Sequence, residues 1–355
     1  MAEELGVEVS CHDSCRLRRS KMQRQNGSMR AFVAAALIAT PMGAGTAIAE
    51  TTWLMASGYP EDNFHTKNIR LFIEEVEEKS DGALTIDLQS NDSLIKLDSV
   101  KRAVQSGQIP IGEIRLGVYG NEDPMYILDA LPFIAPTYED AWALKDAQKR
   151  YFDSLFDSDG MMILYYSPWP SQGFYTNFSV SDGSEFEDVK LRIYSTATQQ
   201  MGEMLGFEAT ILPFAEVPQA FSTGLIEALF TSAQTGIDVQ AWDNTDYFTD
   251  VGAIYAKNAV VVSKSAFDQL DEATQKVVMD AAIAAEKRAW EMSAETGALQ
   301  QQTLAGNGMT VTTGSDELIE KMTDVGKVML TTWKDQASPE AIEAVTPFLK
   351  SKGLE

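Results

Sequence analysis

Arg192 stands in the run Val189-Lys190-Leu191-Arg192-Ile193-Tyr194, where apolar residues flank a guanidinium in what reads as a strand entering a helix. A cation placed this way needs a partner, because an unpaired buried charge is expensive. The partner is either a side chain of this protein or a bound anion. A guanidinium fork offers a carboxylate two parallel donors, which an ammonium cannot match. Two acids, Glu113 and Glu216, are available for general acid or base work. The chain has only two histidines, His12 and His65. Triads of the Ser-His-Asp or Cys-His kind need a histidine placed by other groups, and zinc sites need several His or Cys ligands. His65 follows "EDNF" and reads as a polar residue in the first turn of a helix. Both cysteines, Cys11 and Cys15, lie before residue 49. No nucleophile motif, phosphate loop or dinucleotide fingerprint occurs. No catalytic residue, metal site or cofactor is therefore expected.

The elements that must position Arg192 come from periodicity. The first 49 residues read as a cleaved secretory leader. Arg16, Arg18, Arg19, Lys21, Arg24 and Arg30 form a basic region, "AFVAAALIAT" is apolar, and Ala47-Ile48-Ala49 before Glu50 is an A-x-A cleavage pattern. The apolar run is shorter than the ~20 residues a membrane span requires. No Cys follows it, so the expected product is unlipidated, free and soluble. Of the 28 basic and 52 acidic residues, the leader holds 6 and 4, which leaves the mature chain at −26. That charge argues against nucleic acid as a partner. It does not argue against a small anion in a closed pocket, because exposed charges are screened within about 8–10 Å.

Beyond the leader, strand and helix patterns alternate. "TTWLMAS", "ALTIDLQ" and "IPIGEIRLGVY" read as strands separated by the helices "FHTKNIRLFIEEVEEKS" and "LDSVKRAVQSG". This is the signature of an α/β unit with mainly parallel strands. "PWPSQGFYTNFSV" reads as a crossover or a pocket wall, and a second α/β half begins at "VKLRIYS". In that half "DVQAWDNTDYF" reads as a short amphipathic helix and "VGAIYAKNAVVVSKSAF" as a strand pair. Asp271 to about Ala305 is one long helical stretch without a heptad seam, which suggests a spine crossing between two domains. The expected division is a first domain of residues 50–168 plus about 259–297, and a second of 169–258 plus about 298–355.

The segments "FIEEVEEKSDGALTIDL", "AVQSGQIPIGE", "DALPFIAPTYEDA", "FEDVKLRIYS", "LPFAEVPQAFSTGLIEALFTSAQTG" and "AKNAVVVSKSAFDQL" occur in this order. Over about Thr51 to Leu349 the chain resembles the solute-binding proteins of tripartite ATP-independent periplasmic (TRAP) transporters, of the DctP type. The resemblance implies a two-domain periplasmic-binding-protein-like α/β fold, with a ligand cleft between the domains and a long spine helix. It implies capture of a small organic acid for a membrane permease, in the periplasm, without enzymatic activity and as a monomer. A sensor subunit docking to a receptor is the alternative function, and a carboxylate-dependent enzyme is a remoter one.

The resemblance also assigns candidate ligand contacts. Arg192 takes the place of the family's signature arginine, and its partner would be the ligand carboxylate. Glu113 falls where some relatives place a pocket glutamate, or else it closes the domains by a salt bridge. Phe214 falls at the pocket aromatic of some members, and Thr231 where sialic-acid-binding relatives have Asn, with Ser232 and Gln234 beside it. Asn258 matches a Lys-Asn pair that either bonds the ligand or holds the hinge. Trp169 is a pocket wall or a packing residue, and Ser57, at the end of the first strand, completes the set. Gln172 stands where many relatives carry a second cation, and Glu227-Ala228 replaces the usual Asp-Gly. A neutral amide there leans toward a monocarboxylate bearing hydroxyls, such as a sugar acid or hydroxy acid.

Overall fold

The computed structural model describes residues 50–355; the expected leader and its cleavage site near Ala49/Glu50 lie outside the described residues. Thr51–Ala56 (β1), Phe64–Lys79 (α1), Leu84–Gln89 (β2), Val100–Gln105 (α2) and Ile111–Arg115 (β3) come first, followed by Tyr138–Ser158 (α3) and Met161–Pro168 (β4). The chain then enters a second sheet with Gln172–Thr176 (β5), Lys190–Ile193 (β6), Thr196–Met204 (α4), Glu208–Ile211 (β7) and Val217–Ser222 (α5). Ala228–Ser232 (β8), Ala233–Asp238 (α6) and Tyr247–Asp250 (β9) complete that run. Lys257–Ser263 (β10) returns to the first sheet, and Lys264–Phe267 (α7), Glu272–Gly306 (α8), Thr310–Thr313 (β11), Asp316–Gln336 (α9) and Pro339–Ser351 (α10) follow.

The first sheet has the order β2-β1-β3-β10-β4 and the second β11-β9-β5-β8-β6-β7. β10 and β5 each run antiparallel to both neighbours, whereas β1, β2 and β3 pair in parallel, as do β6, β7 and β8. These two reversed strands are the ones that carry the chain across between sheets. The crossovers are tied together, since the Trp169 N–H donates to the Ala256 carbonyl at 2.8 Å. β3, β8 and β10 are buried along their whole length, which fits strands covered on both faces. At Gly173 of β5, a Cβ would stand 2.2 Å from the Thr249 carbonyl oxygen of β9, so only glycine allows the two backbones to pair there.

α8 packs against α1 and β4 of the first sheet and against α6 and β11 of the second. Val278, Ala281, Ala282, Ala285 and Ala289 form its buried stripe. Small side chains over this stretch let the helix lie close to its neighbours, and the bulkier buried Trp290 and Leu304 follow further along it. Asp271 caps its first turn by accepting from the Thr274 N–H.

Two segments differ from the periodicity reading. "DVQAWDNTDYF" is not a helix: Gln240 has φ 50°, Ala241–Asp243 forms one tight 3-10 turn, and Tyr247 begins β9. The left-handed residue stops α6 and reverses the chain, which a three-residue spacing of apolar groups does not reveal. "VGAIYAKNAVVVSKSAF" holds one strand, β10, because residues 251–256 are the irregular crossover and Lys264–Phe267 is helical.

Candidate functional site

The carboxyl ends of β3, β6 and β8 meet the start of β5 where the chain crosses between sheets. In open α/β sheets this is where ligands sit, outside the strand ends at a switch point. A cavity of about 20 Å³ lies there, walled by Tyr59, Arg115, Trp169, Gln172, Arg192, Tyr194, Phe214, Thr231, Ser232, Thr235 and Ala256. That is room for about one water, far below the ~300–1,000 Å³ usual for small-molecule pockets, so a ligand enters only when these walls part. A larger open groove of about 800 Å³ runs between α3 and α10, but its lining groups, such as Arg150, Glu340 and Glu343, are exposed and solvated. It holds no buried group in need of a partner.

Arg192 does. It projects from β6 and is 1% exposed. Its Nε and Nη2 both donate to the Leu212 carbonyl, at 3.1 and 2.9 Å. No carboxylate of the described residues comes within ion-pair distance. Burial, and then the nearby Arg115 guanidinium, bring its pKa down to about 9. It remains charged at neutral pH, in a setting that disfavours the cation. The local fold holds it in place. Ser195 caps α4 one turn later, in a reciprocal box with Thr198. On the adjacent strand, Ser232 caps α6 by accepting from the Thr235 N–H.

A second polar layer lies behind the wall. Trp169 Nε1 donates to Asn258 Oδ1 at 2.9 Å, and Asn258 Nδ2 donates to Glu113 Oε1 at 2.8 Å. Ser57 Oγ donates to the other Glu113 oxygen at 2.5 Å. Burial pushes the Glu113 carboxyl up to about 7, against these two hydrogen bonds. His65 lies in the first turn of α1, as expected, and is buried there, with Nδ1 2.6 Å from Ser167 Oγ and its ring 4.4 Å from that of Trp169. Burial holds it neutral, its pKa down to about 3. It stands 3.8 Å from Glu113 but forms no ion pair while neutral.

The family model for DctP, bacterial extracellular solute-binding protein, family 7, matches residues 55–336. The chain belongs to this family. Among solved structures it is similar to Bordetella pertussis DctP6, an extracytoplasmic solute receptor binding pyroglutamic acid, at 38% identity and a TM-score of 0.83 over 84% of this chain and 100% of that one. It is also similar to a marine metagenome TRAP solute-binding protein specific for pyroglutamate, at 30% identity and a TM-score of 0.82 over 85% and 99% of the two chains. The ectoine/5-hydroxyectoine-binding periplasmic protein UehA of Ruegeria pomeroyi is 26% identical over 72% of this chain and 76% of its own. Among the described residues, no helix of this DctP protein is long and apolar enough to cross a membrane.

Against the residues singled out from the sequence, the structure of this DctP protein makes a division. Arg192, Gln172, Trp169, Phe214, Thr231 and Ser232 come together at the cavity. Ser57, Glu113 and Asn258 do not line it; their polar atoms bond one another one layer behind Trp169. Gln234 turns away, donating to Asp238 at 2.7 Å and accepting from Gln300 at 2.8 Å. Tyr175 is a core residue bonded to the Ser232 carbonyl. Sequence reading missed Arg115, Tyr59, Tyr194 and Thr235 in the wall. A neutral Gln172 does not leave one cation, because Arg115 brings a second from the other sheet. The signal for Arg115 was available: Ile114-Arg115-Leu116 is a cation flanked by apolar residues in a strand, as Arg192 is.

Proposed function

We propose that this protein is the periplasmic receptor of a TRAP transporter, that it captures pyroglutamate or a closely similar small cyclic carboxylic acid, and that it hands the ligand to a membrane permease. The observation that supports this most strongly is Arg192, a buried guanidinium without an acidic partner in the wall of a small cavity. Its free donors take the ligand carboxylate. Other groups suit a ring amide. Gln172 Oε1 accepts from the Tyr194 hydroxyl at 2.7 Å, so its amide N–H groups are free to donate to a ring carbonyl. Tyr59 Oη is buried without a partner in the same wall. Trp169 and Phe214 cover the apolar ring edges, each edge-to-face with Tyr59 at 5.0 and 5.6 Å.

Relatives at 30–38% identity that bind pyroglutamate favour this ligand over larger sugar acids. The role is that of a receptor and not an enzyme, and its mechanism is closure of two lobes around the acid. The lobes are residues 50–168 plus about 259–297 and residues 169–258 plus about 298–338, with α10 belonging to the first lobe because it lies against α3. Micromolar binding requires about −8 kcal/mol, and charge-assisted bonds contribute roughly 1.5–3 kcal/mol each.

Native mass spectrometry of the chain from Glu50 on, before and after mild unfolding, tests the reading. The expected result is a retained small acid that leaves on unfolding, together with saturable pyroglutamate binding in calorimetry. A chain that binds neither pyroglutamate nor any acid in a thermal-shift screen would overturn it.

A further inference from the structure

Arg115 ends β3 in the first sheet, and Arg192 sits on β6 in the second. Both guanidinium carbons lie over one ring, that of Tyr194, at 5.3 Å and 5.9 Å from its centroid. The Tyr194 hydroxyl is held by Gln172, so the ring that both cations approach is fixed. Arg115 is 7% exposed, and its Nε is buried without a partner. Among the described residues its one ion pair is with Asp98, whose oxygen is 3.4 Å away on a side chain 43% exposed. The cavity wall itself contains no carboxylate. Two cations from opposite sheets thus line one small cavity, and only Arg115 has an acid beside it, the partly solvated Asp98 outside the wall.

We infer that Arg115 is a second ligand-anchoring residue, set across the cleft from Arg192, and that the bound carboxylate is the shared counter-ion that allows these two cations to face each other. The inference rests on the receptor reading and deepens it. Like charges at short range repel strongly where water is excluded. With no anion the repulsion favours separation of the sheets, and a carboxylate between them converts it to attraction. The acid then interacts more favourably with the closed form than with the open one, which is what any ligand-driven closure requires. Lowering of the Arg192 pKa by Arg115 agrees with this placement. The competing account is a structural one, in which Arg115 only straps Tyr194 to Asp98.

The test compares the chain from Glu50 on as wild type, Arg115→Gln and Arg115→Lys, with pyroglutamate as the probe. Calorimetry should show Arg115→Gln binding 10- to 100-fold more weakly and Arg115→Lys in between. The ligand-free melting temperature of Arg115→Gln should equal or exceed that of wild type, because a repulsion is removed. In X-ray scattering, ligand-free Arg115→Gln should be more compact than ligand-free wild type. Wild-type binding with Arg115→Gln affinity within twofold would overturn the inference and leave the receptor reading standing. So would a lower ligand-free melting temperature that Arg115→Lys does not restore, which is the mark of a strap. Wild type that binds no small acid would overturn both.

Discussion

Two fully buried cations, Lys257 and Arg192, are treated in opposite ways by this fold. The Lys257 ammonium lies 2.8 Å from Asp129 Oδ2, and the same oxygen accepts the Lys257 backbone N–H at 3.2 Å. Other deep lysines follow suit: Lys145 has Glu286 at 2.8 Å, and Lys101 has Asp159 at 3.1 Å. Arg192 has only a carbonyl oxygen. The chain is rich in acids and supplies one wherever a buried lysine is structural. Where it supplies none, the missing charge must come from outside. Lys257–Asp129 is therefore part of the frame, and under the proposed function Arg192 is the ligand's anchor.

The comparison predicts effects on different observables. Asp129→Ala leaves Lys257 buried and unpaired, which should cost about 3–5 kcal/mol of stability in urea denaturation. Pyroglutamate affinity of the folded fraction should change no more than twofold. Arg192→Ala should do the reverse, with stability within about 1 kcal/mol of wild type and affinity at least a hundredfold lower, or about 2.8 kcal/mol. Arg192→Lys keeps the charge without the fork, so calorimetry should find at least a tenfold loss, about 1.4 kcal/mol. If Arg192→Ala unfolds the protein while binding survives in Asp129→Ala and Arg192→Lys alike, the distinction fails.

Trp169→Phe sharpens the comparison at the boundary of frame and site. The ring is kept, but the donor to Asn258 is lost in a buried setting, worth about 1–3 kcal/mol of stability. Binding should weaken only a few-fold, because the indole N–H points away from the cavity, into the layer behind it. A hundredfold affinity loss would mean that Trp169 contacts the ligand by more than its ring face.

The frame was far more legible in the sequence than the site. Apolar periodicity located α1, α8 and most strands, because each buries a face whose spacing is visible along the chain. It failed at Gln240, where one left-handed residue decides the path and apolar spacing carries no trace of it. Arg192 was legible because one segment contains both the cation and its apolar flanks. Arg115 carries the same local signal, but its meaning depends on β3 and β6 ending at one cavity, a tertiary fact. Glu113 and Asn258 were placed at the ligand because the resemblance puts pocket residues at their positions, and Ser57 was added to them at the end of the first strand. Their hydrogen bonds to one another are long-range in sequence and could not be read from it.

Glu113 gives the most specific prediction. Its carboxyl is raised by burial from an ordinary 4.5 to about 7. Between those values the folded state holds a proton that the unfolded state has lost, so stability falls as pH rises through this window. The contribution is fully present below about 4.5 and gone above about 7. His65 works in the opposite direction, because it stays neutral down to about 3 while the unfolded histidine protonates near 6.5. Its contribution is lost as pH falls below that value, so the two groups oppose each other between about pH 4.5 and 6.5. Subtracting the Glu113→Gln profile isolates the carboxyl. The variant should gain on wild type from pH 5 to pH 8 by roughly 2–3 kcal/mol, because most of the rise from 4.5 to about 7 lies inside this window and each pH unit is worth about 1.4 kcal/mol. Chemical denaturation at the two pH values measures it. A constant difference would mean that Glu113 stays ionised in its hydrogen bonds, and that the layer behind Trp169 is a charged clamp rather than a neutral one.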